Sequence, residues 1–422
     1  MQLWRMDNSG IIKHPAAVNF HCCGIREMNA LEPCKYNNYS FVVNAEGVLW
    51  AFGLNGTDPY LGVICLRPGF RERTEADHKK NKKLSFFLRE PVIQVYNRKQ
   101  IYMQQIPPTM VEIPTLVLQI SSTSSRTMFL DDNGVLWQCG AGLAKTDLDV
   151  APKPIPDLPL ISKVACGFHH TLAIDTEGGL WGFGRSDNFV LTKTTKKDRK
   201  PFRIEITDMG PVKDISCESL QSWCLTVDGE LWMFGKRAPK KASFSRSNEI
   251  ASLHSGTEHT SLLMNNGRVW MTGNNQSGQL GLSLLGTTRR FKQIPSSTFP
   301  EIKSIALGDR HSMFLDINGN VWACGHHCLI PTATKRPELP VQVPNFEHVQ
   351  GIAAGATHSM IVDSEGFLFT SGNNEQGCCG FELDPDIPTY KQRKAVLPPS
   401  KLECVSKVTL PVSFQAVKSA NK

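Results

Sequence analysis

The amino-acid sequence predicts an all-β protein, a β-propeller of seven four-stranded antiparallel blades, with eight blades as the alternative. Three observations predict this fold. An 18-residue pattern occurs seven times without a gap, and each copy has the composition of a short strand, a tight turn and a second strand. The anchor aromatic of the pattern returns mostly every 40 to 50 residues or so, about the length of one four-stranded blade. Such hairpins must stack to bury their faces, and a radial arrangement protects their edges.

Four copies of the pattern are regular and three are degenerate. The regular copies are Gly167–Gly184, Gly256–Gly273, Gly308–Gly325 and Gly355–Gly372. The degenerate copies are Tyr36–Gly53, Thr123–Gly140 and Glu218–Gly235. The anchor aromatics are Trp50, Trp137, Trp181, Trp232, Trp270, Trp322 and Phe369. We expect these aromatics to pack between neighbouring blades, because they carry large apolar area at one fixed position.

Within each copy, the elements follow from residue type. Small, apolar and β-branched residues such as Thr171–Ile174 form a strand that is buried on both sides. Asp175–Gly178 then forms a tight turn, in which the acid bonds its own turn backbone and glycine supplies a positive φ. Asp316 and Asp363 occupy the same turn position. The second strand carries the aromatic and ends at another glycine.

The chain ends and one long spacing complicate this regular scheme. Leu3–Gly10 has the pattern of a second-half strand and Val412–Val417 that of a first-half strand, so together they could complete an eighth blade. Residues 63–109 form an insertion after the first full copy, predicted to be a hairpin or a lid. We therefore expect one propeller domain over residues 1–422, with the insertion inside it.

The pattern resembles a known repeat. The G-x-x-H-[ST] element, the turn, the [VL]-W-x-x-G element and G-Q-L-G at Gly278–Gly281 are similar to the regulator of chromosome condensation repeat, from about Tyr36 to Gly380. The resemblance implies a seven-bladed propeller and two kinds of activity. One is a non-catalytic platform for proteins, chromatin or membranes. The other is guanine-nucleotide exchange on a small Ran-type GTPase, through a β-wedge on one face while the opposite face binds chromatin.

The resemblance places that wedge after the third aromatic strand, at Arg185, Asp187 and Asn188. The glycines that should follow Asn188 are replaced by Phe189-Val190. No phosphate loop, nucleophile elbow or zinc-protease motif occurs in the sequence. The sequence therefore predicts a non-catalytic scaffold that needs no cofactor, with the exchange factor as the alternative.

The repeated histidines His170, His259, His311 and His358 are predicted to be structural. They occupy one position of successive units, so a ring would spread them around its axis, and each is expected to bond loop backbone within its own blade. The degenerate units carry Tyr39, Arg126 and Gln221 at this position.

A cluster of potential metal ligands occurs at Cys324–Cys328. Its spacing is too tight for one tetrahedral centre, and Cys324 stands at a position that Phe183 and Phe234 fill in sister units. We therefore predict no metal site.

Basic clusters are the strongest sign of a partner. They follow the aromatic strands at Arg71–Lys83, Lys193–Arg203, Lys236–Arg246, Arg289–Lys292 and Lys391–Lys394, in a chain of net charge +7. We expect loops carrying them to gather on one face. The residues that we assign to partner binding are Lys79, Lys80, Lys82, Lys83, Lys196, Lys197, Arg199, Lys200, Lys240, Lys241, Arg289 and Arg290. Such a face would attract a small GTPase, a chromatin component or nucleic acid. Alternatively, the charges only keep the ring in solution.

The composition adds expectations about location. No apolar run reaches about 18 residues, so no membrane span is predicted. Thirteen scattered cysteines without a secretion signal indicate reduced thiols. We therefore expect an intracellular monomer of the nucleus or cytoplasm.

Overall fold

The computed structural model describes a large part of the 422-residue chain. The described residues are 31–33, 39–43, 49–55, 104–111, 113–123, 126–141, 148–186, 191, 195–235, 237–283, 285–295, 297, 300–326, 338–344, 346, 348–364, 368–372, 378 and 406–408. Among them, no helix is long and apolar enough to cross a bilayer. Their regular structure is almost entirely β-strand, so the all-β prediction is confirmed.

The described strands pair in chain order into four-stranded antiparallel sheets. Sheet 1 contains β1 (Leu31–Pro33), β2 (Tyr39–Val43), β3 (Leu49–Asn55) and β4 (Gln104–Val111). Sheet 2 contains β5 (Val117–Ser122), β6 (Arg126–Asp131), β7 (Leu136–Ala141) and β8 (Leu148–Pro154). Sheet 3 contains β9 (Ile161–Cys166), β10 (His170–Asp175), β11 (Leu180–Ser186) and β12 (Thr195–Arg203).

The second half of the chain repeats this arrangement. Sheet 4 contains β13 (Val212–Cys217), β14 (Ser222–Thr226), β15 (Leu231–Gly235) and β16 (Arg237–Lys241). Sheet 5 contains β17 (Ile250–Ser255), β18 (His259–Met264), β19 (Val269–Asn274) and β20 (Thr287–Gln293). Sheet 6 contains β21 (Ile302–Leu307), β22 (His311–Asp316), β23 (Val321–Gly325) and β24 (Val341–Gln342). Sheet 7 contains β25 (Val349–Ala354), β26 (His358–Asp363), β27 (Leu368–Gly372) and β28 (Ser406–Val408).

Sheet 3 shows why each repeat folds as a hairpin. The strand β10 is buried at every position, and its centre, Thr171–Ile174, consists of the apolar and small residues that such burial favours. Gly178 in the following turn has a φ of +83°. Gly184, at the end of β11, has a φ of +92°, and a Cβ there would lie 2.5 Å from the carbonyl oxygen of His169. Both positions therefore require glycine.

The apolar core lies between neighbouring sheets. Met271 and Leu263 of sheet 5 form one cluster with Ile305 and Phe314 of sheet 6, and Trp322 packs against it. Trp137, Trp181, Trp232 and Trp270 belong to equivalent inter-sheet clusters. The aromatic position therefore holds successive sheets together.

Contacts between sheets define two ends of the propeller. The loops between the first and second strands lie together at one end, where Ser219 N bonds Thr257 O at 3.0 Å and Thr257 N bonds Gly308 O at 3.1 Å. We call this the loop end. The turns between the second and third strands lie at the turn end, where Gly178 O accepts a bond from Val212 N at 2.8 Å.

A polar cavity of about 210 Å³ lies along the axis of the ring. Its described lining comes from the inner strands β5, β9, β13, β17, β21 and β25. Strand β1 of sheet 1 contacts both β5 and β25. A β-propeller of four-stranded antiparallel blades is thus confirmed, while the seven-blade and eight-blade counts are not.

The structure changes one boundary of the predicted insertion, and the other predicted segments lie outside the described residues. Strand β4 begins at Gln104, so residues 104–109 belong to sheet 1 and not to the predicted insertion at 63–109. The remainder of that insertion lies outside the described residues, as do Leu3–Gly10 and Val412–Val417.

Candidate partner-binding surfaces

The repeated histidines join neighbouring sheets. In each case Nε2 lies within hydrogen-bond distance of a serine Oγ on the next sheet. The pairs are His170–Ser222 at 2.7 Å, His259–Ser312 at 3.0 Å, His311–Ser359 at 2.9 Å and His358–Ser40 at 2.8 Å. For Nε2, the expected bond to backbone within the same blade is therefore corrected, because this atom bonds a hydroxyl of the next sheet.

The serine partners fix the tautomer of two of these histidines. Ser312 Oγ donates its proton to Gln279 O at 2.6 Å, so it must accept a proton from His259 Nε2–H. Ser40 likewise donates to Cys378 O at 2.8 Å, beside His358. We call each such inter-sheet bond a latch. The histidines are buried, so they offer no exposed acid–base group.

Burial also keeps the first latch histidine uncharged. Burial, with a smaller contribution from the neighbouring His169, lowers the pKa of His170 to about 3. A neutral ring in a closed hydrogen bond suits a structural role better than proton transfer to a ligand.

A degenerate unit makes its latch with a different residue. Gln221 stands at the histidine position of sheet 4, but the contact with sheet 5 comes from Glu218, which accepts a short hydrogen bond from the hydroxyl of Thr260. Glu218 also accepts bonds from Gln221 Nε2 at 3.3 Å and from Trp223 Nε1 at 3.5 Å. Sequence reasoning missed this residue, because the acid lies three positions before the aligned site.

The turn acids act within their own hairpins. Asp175 accepts bonds from Trp181 Nε1 at 2.9 Å and from the backbone of Glu177 and Gly179. Burial opposes ionisation of Asp175, but these donors outweigh it and hold the pKa of the carboxyl below its ordinary value. Asp316 makes the same set of contacts, including Trp322 Nε1 at 3.1 Å. These acids are fully used in holding the hairpin.

Those predicted basic residues that the structure describes lie in strands and not in loops. The structure places them on the outermost strands of three consecutive sheets. They are Lys196, Lys197, Arg199 and Lys200 in β12, Lys240 and Lys241 in β16, and Arg289 and Arg290 in β20. We call this set the basic rim. An outer strand has one unpaired edge, and charges and bulges protect such edges, which explains the correction; the pairing of all three strands contains register shifts.

Much of the basic rim faces solvent. Lys200, Lys240, Arg289 and Arg290 are exposed. Lys241 is exposed too, but it forms an ion pair with Glu230.

The aromatic residues that interrupt the rim are used in packing. Phe291 contacts Trp223 with ring centroids 5.2 Å apart, and Phe244 contacts Trp270 at 5.3 Å. Phe202 packs against the cluster between sheets 3 and 4. The rim therefore offers cationic groups without rings on which bases could stack.

Several predicted residues cannot be assigned a place. Lys79, Lys80, Lys82 and Lys83 lie outside the described residues, as do Asp187 and Asn188 of the predicted wedge. Arg185, the third wedge residue, lies near the end of β11.

The predicted absence of a metal site concerns a partly described segment. Cys324 is buried in β23, whereas His327 and Cys328 lie outside the described residues. Within the part of the chain that the structure describes, no three His, Cys, Asp or Glu side chains are grouped so that they could hold an ion.

A second surface lies at the loop end. Here the loops before the latch positions of sheets 3 to 6 carry exposed or half-buried side chains, which we call the loop arc. The loop arc consists of Phe168, Leu220, Glu258, Asp309 and Arg310. Sequence reasoning missed it, because these residues occupy the variable positions of the G-x-x-H element.

The acidic part of the loop arc has a defined geometry. Asn274 Nδ2 donates to Glu258 Oε2 at 2.7 Å, which orients that carboxylate. Arg310 Nε lies 3.4 Å from Asp309 Oδ2. Burial raises the pKa of Asp309, and nearby Glu258 raises it too, while Arg310 acts in the opposite direction.

Comparison with known proteins gives these features a context. Two models of the regulator of chromosome condensation (RCC1) repeat match, one at residues 266–315 and the other at 161–189. Probable E3 ubiquitin-protein ligase HERC6 of Homo sapiens is 22% identical over 266 residues, which cover 56% of this chain and 26% of HERC6. Protein pim1 of Schizosaccharomyces pombe is 24% identical over 258 residues, which cover 52% of this chain and 48% of pim1. The chain thus spans less than half the length of either relative.

Solved structures share the fold. The crystal structure of Prp20p from Saccharomyces cerevisiae superposes with a TM-score of 0.56 at 18% identity, covering 64% of this chain and 75% of Prp20p. At such identity, the likeness establishes the propeller fold alone.

Proposed function

We propose that this chain, a member of the regulator of chromosome condensation repeat family, is a non-catalytic scaffold that binds a protein or chromatin partner through its basic rim. One observation carries the proposal. The repeated histidines and turn acids, which could otherwise do chemistry, are used in latches and hairpins, whereas the repeated cations of three consecutive sheets face solvent. The repeats therefore present exposed positive charge to a partner.

The chemistry of the rim favours a polyanion. Exposed guanidinium and ammonium groups on β12, β16 and β20 attract phosphates or an acidic protein surface, and the attraction is long-ranged and sensitive to salt. Since Phe202, Phe244 and Phe291 are packed between sheets, contact with nucleic acid would be to its backbone. We expect binding of this kind to be independent of base sequence.

The proposal includes a closed ring of seven blades. Seven four-stranded sheets are paired among the described strands, and the latch from His358 to Ser40 joins sheet 7 to sheet 1. We further propose that residues 63–103 form an insertion within this ring, with the basic residues Lys79, Lys80, Lys82 and Lys83 contributing to partner binding. A monomer in the nucleus or the cytoplasm fits this scheme.

Guanine-nucleotide exchange on a small Ran-type GTPase is the second candidate. The structure of Prp20p is described together with its binding to Gsp1p and histones, and this chain shares its fold. The loop arc adds oriented acidic groups, Glu258 and Asp309, of the kind that exchange without covalent chemistry would use. Arg185, Asp187 and Asn188 would then form the wedge.

Charge reversal tests the basic rim. We expect Arg289→Glu/Arg290→Glu to weaken binding to mononucleosomes by about tenfold or more at moderate salt, because each contact releases counterions. The matched control is Lys213→Glu/Lys303→Glu, which makes the same charge change at two exposed lysines on inner strands. The control should bind within about twofold of the wild type.

Equal binding by both variants, or equal loss in both, would remove the rim from the proposal. Exchange is tested separately, by release of labelled GDP from a Ran-type GTPase. If exchange occurs, Glu258→Gln and Asp187→Ala should slow it. No acceleration by the wild-type chain at micromolar concentration would exclude the second candidate.

A further inference from the structure

We infer that the loop arc is a docking surface for a peptide segment in which a large apolar side chain stands next to a lysine or arginine. The inference rests on the proposed scaffold function, since it assigns a second partner chemistry to the same molecule. The loop arc and the basic rim consist of different residues, and the two sets carry opposite net charge.

The apolar half of the loop arc consists of two neighbouring side chains. Phe168 of sheet 3 is 37% exposed and Leu220 of sheet 4 is 48% exposed. Their loops are in contact, because a Cβ added at Gly167 would lie 2.7 Å from the carbonyl oxygen of Glu218. Large apolar side chains exposed on adjoining loops can form the apolar centre of a protein interface.

The backbone beneath these side chains is fixed before any partner arrives. Gly167 N bonds His170 O, and Glu218 N bonds Gln221 O, each at 2.8 Å. Each loop also adjoins a latch, made by His170 or Glu218. Because little loop entropy remains to be lost, a short segment could bind here with useful affinity.

The acidic half follows directly along the arc. Ser219 N bonds Thr257 O at 3.0 Å, so the loop that carries Leu220 adjoins the loop that carries Glu258. Asn274 orients the Glu258 carboxylate but brings no charge. Asp309 already has Arg310 beside it. Glu258 is therefore the group that a cation of the partner would meet.

The apolar side chains followed by an acidic side chain along the loop arc determine which kind of segment can bind. An apolar side chain would pack between Phe168 and Leu220, and a basic neighbour in the same segment would reach Glu258. A nucleic acid or an acidic peptide would instead bring its charge against Glu258 and Asp309, which opposes binding. Polyanions therefore belong to the basic rim, and apolar–basic peptides to the loop arc.

Selection of peptides tests the inference on the full chain. A phage-displayed library of random peptides is panned on the immobilised protein, and the enriched sequence is synthesised with a fluorescent label. We expect enrichment of a large apolar residue next to Lys or Arg. Phe168→Ser/Leu220→Ser should weaken the labelled peptide by about tenfold or more, and Glu258→Gln by about threefold to tenfold. Val227→Ser/Ile317→Ser, two exposed apolar residues in turns, is the matched control and should leave binding unchanged.

The outcomes separate this inference from the rim proposal. Enrichment of acidic peptides, absence of any enriched sequence, or a peptide insensitive to Phe168→Ser/Leu220→Ser would overturn the inference. The rim proposal would still stand if Arg289→Glu/Arg290→Glu lost nucleosome binding. Conversely, this rim variant should bind the selected peptide normally. Circular dichroism and thermal unfolding of each variant check that the fold is intact.

Discussion

We call the contact between two neighbouring sheets a seam. Two seams are held by different polar groups. Between sheets 6 and 7, the ring of His311 bonds the hydroxyl of Ser359. Between sheets 4 and 5, the carboxyl of Glu218 accepts a bond from Thr260, from a position three residues earlier in the repeat. The hydroxyl partner occupies the same place in both seams. A seam therefore needs one polar group that reaches the hydroxyl of the next sheet, and it tolerates a change in which residue supplies that group.

The two seams differ in what surrounds the polar group. The histidine bonds one hydroxyl, whereas Glu218 accepts from Thr260, Gln221 and Trp223 at once. A buried carboxyl is stable only with several donors, because burial otherwise penalises its charge. The degenerate unit thus holds a network of three donors around one carboxyl, and its loss should cost more than loss of the bond from His311 to Ser359.

Removal of the carboxyl should give the largest effect. We expect Glu218→Ala to lower the free energy of unfolding by about 3 kcal/mol, because two buried donors and one half-buried donor lose their acceptor together. His311→Ala, which breaks the bond to Ser359, should cost about 2 kcal/mol. Urea unfolding followed by tryptophan fluorescence measures both. Equal costs would show that the network adds nothing.

The next largest effect should be a loss of the stability contributed by His170 as the pH falls. The folded pKa of His170 is lowered to about 3 from an ordinary value of 6.5. Its neutral form thus contributes full stability above pH 6.5, and that contribution is lost as pH falls from 6.5 towards 3, by up to about 1.4 kcal/mol per pH unit. We expect the stability difference between wild type and His170→Asn to shrink over this range. Urea midpoints at pH 7.5, 6 and 5 test this, and a constant difference would contradict it.

The smallest predicted effect concerns the anchor tryptophans. Trp322 Nε1 donates to Asp316 at 3.1 Å, so Trp322→Phe should cost about 1 kcal/mol for the lost bond in addition to the change in packing. Buried Trp270 Nε1 has no acceptor among the described residues, and Met264 stands at the turn position that Asp316 fills in sheet 6. Trp270→Phe should therefore cost less than Trp322→Phe in the same urea assay. The opposite order would contradict the account of the turn acids.

The propeller fold could be predicted because the same structural constraints recur in each repeat. Glycine at positive φ, as at Gly178, and a buried strand such as β10 are required in every unit, so seven copies report the same constraint. The lining of the cavity was not predictable, because inner strands such as β13 lie outside the 18-residue pattern.

The sites were less predictable, because they depend on contacts between units. Gln221 stands at the latch position in sequence, and only the placement of Thr260 shows that Glu218 replaces it. The basic clusters look like loops, since charged runs are depleted in buried strands. An outer strand such as β20, however, has a solvent side on which Arg289 and Arg290 are accommodated.

The central claim is that the repeated histidines join neighbouring blades. A double-mutant cycle at one seam tests it most directly, with His311→Ala, Ser359→Ala and the double variant unfolded in urea at pH 7.5. The 2.9 Å bond between the two side chains predicts a coupling energy of about 1 kcal/mol or more. Additive effects of the two substitutions, with no coupling, would contradict the claim.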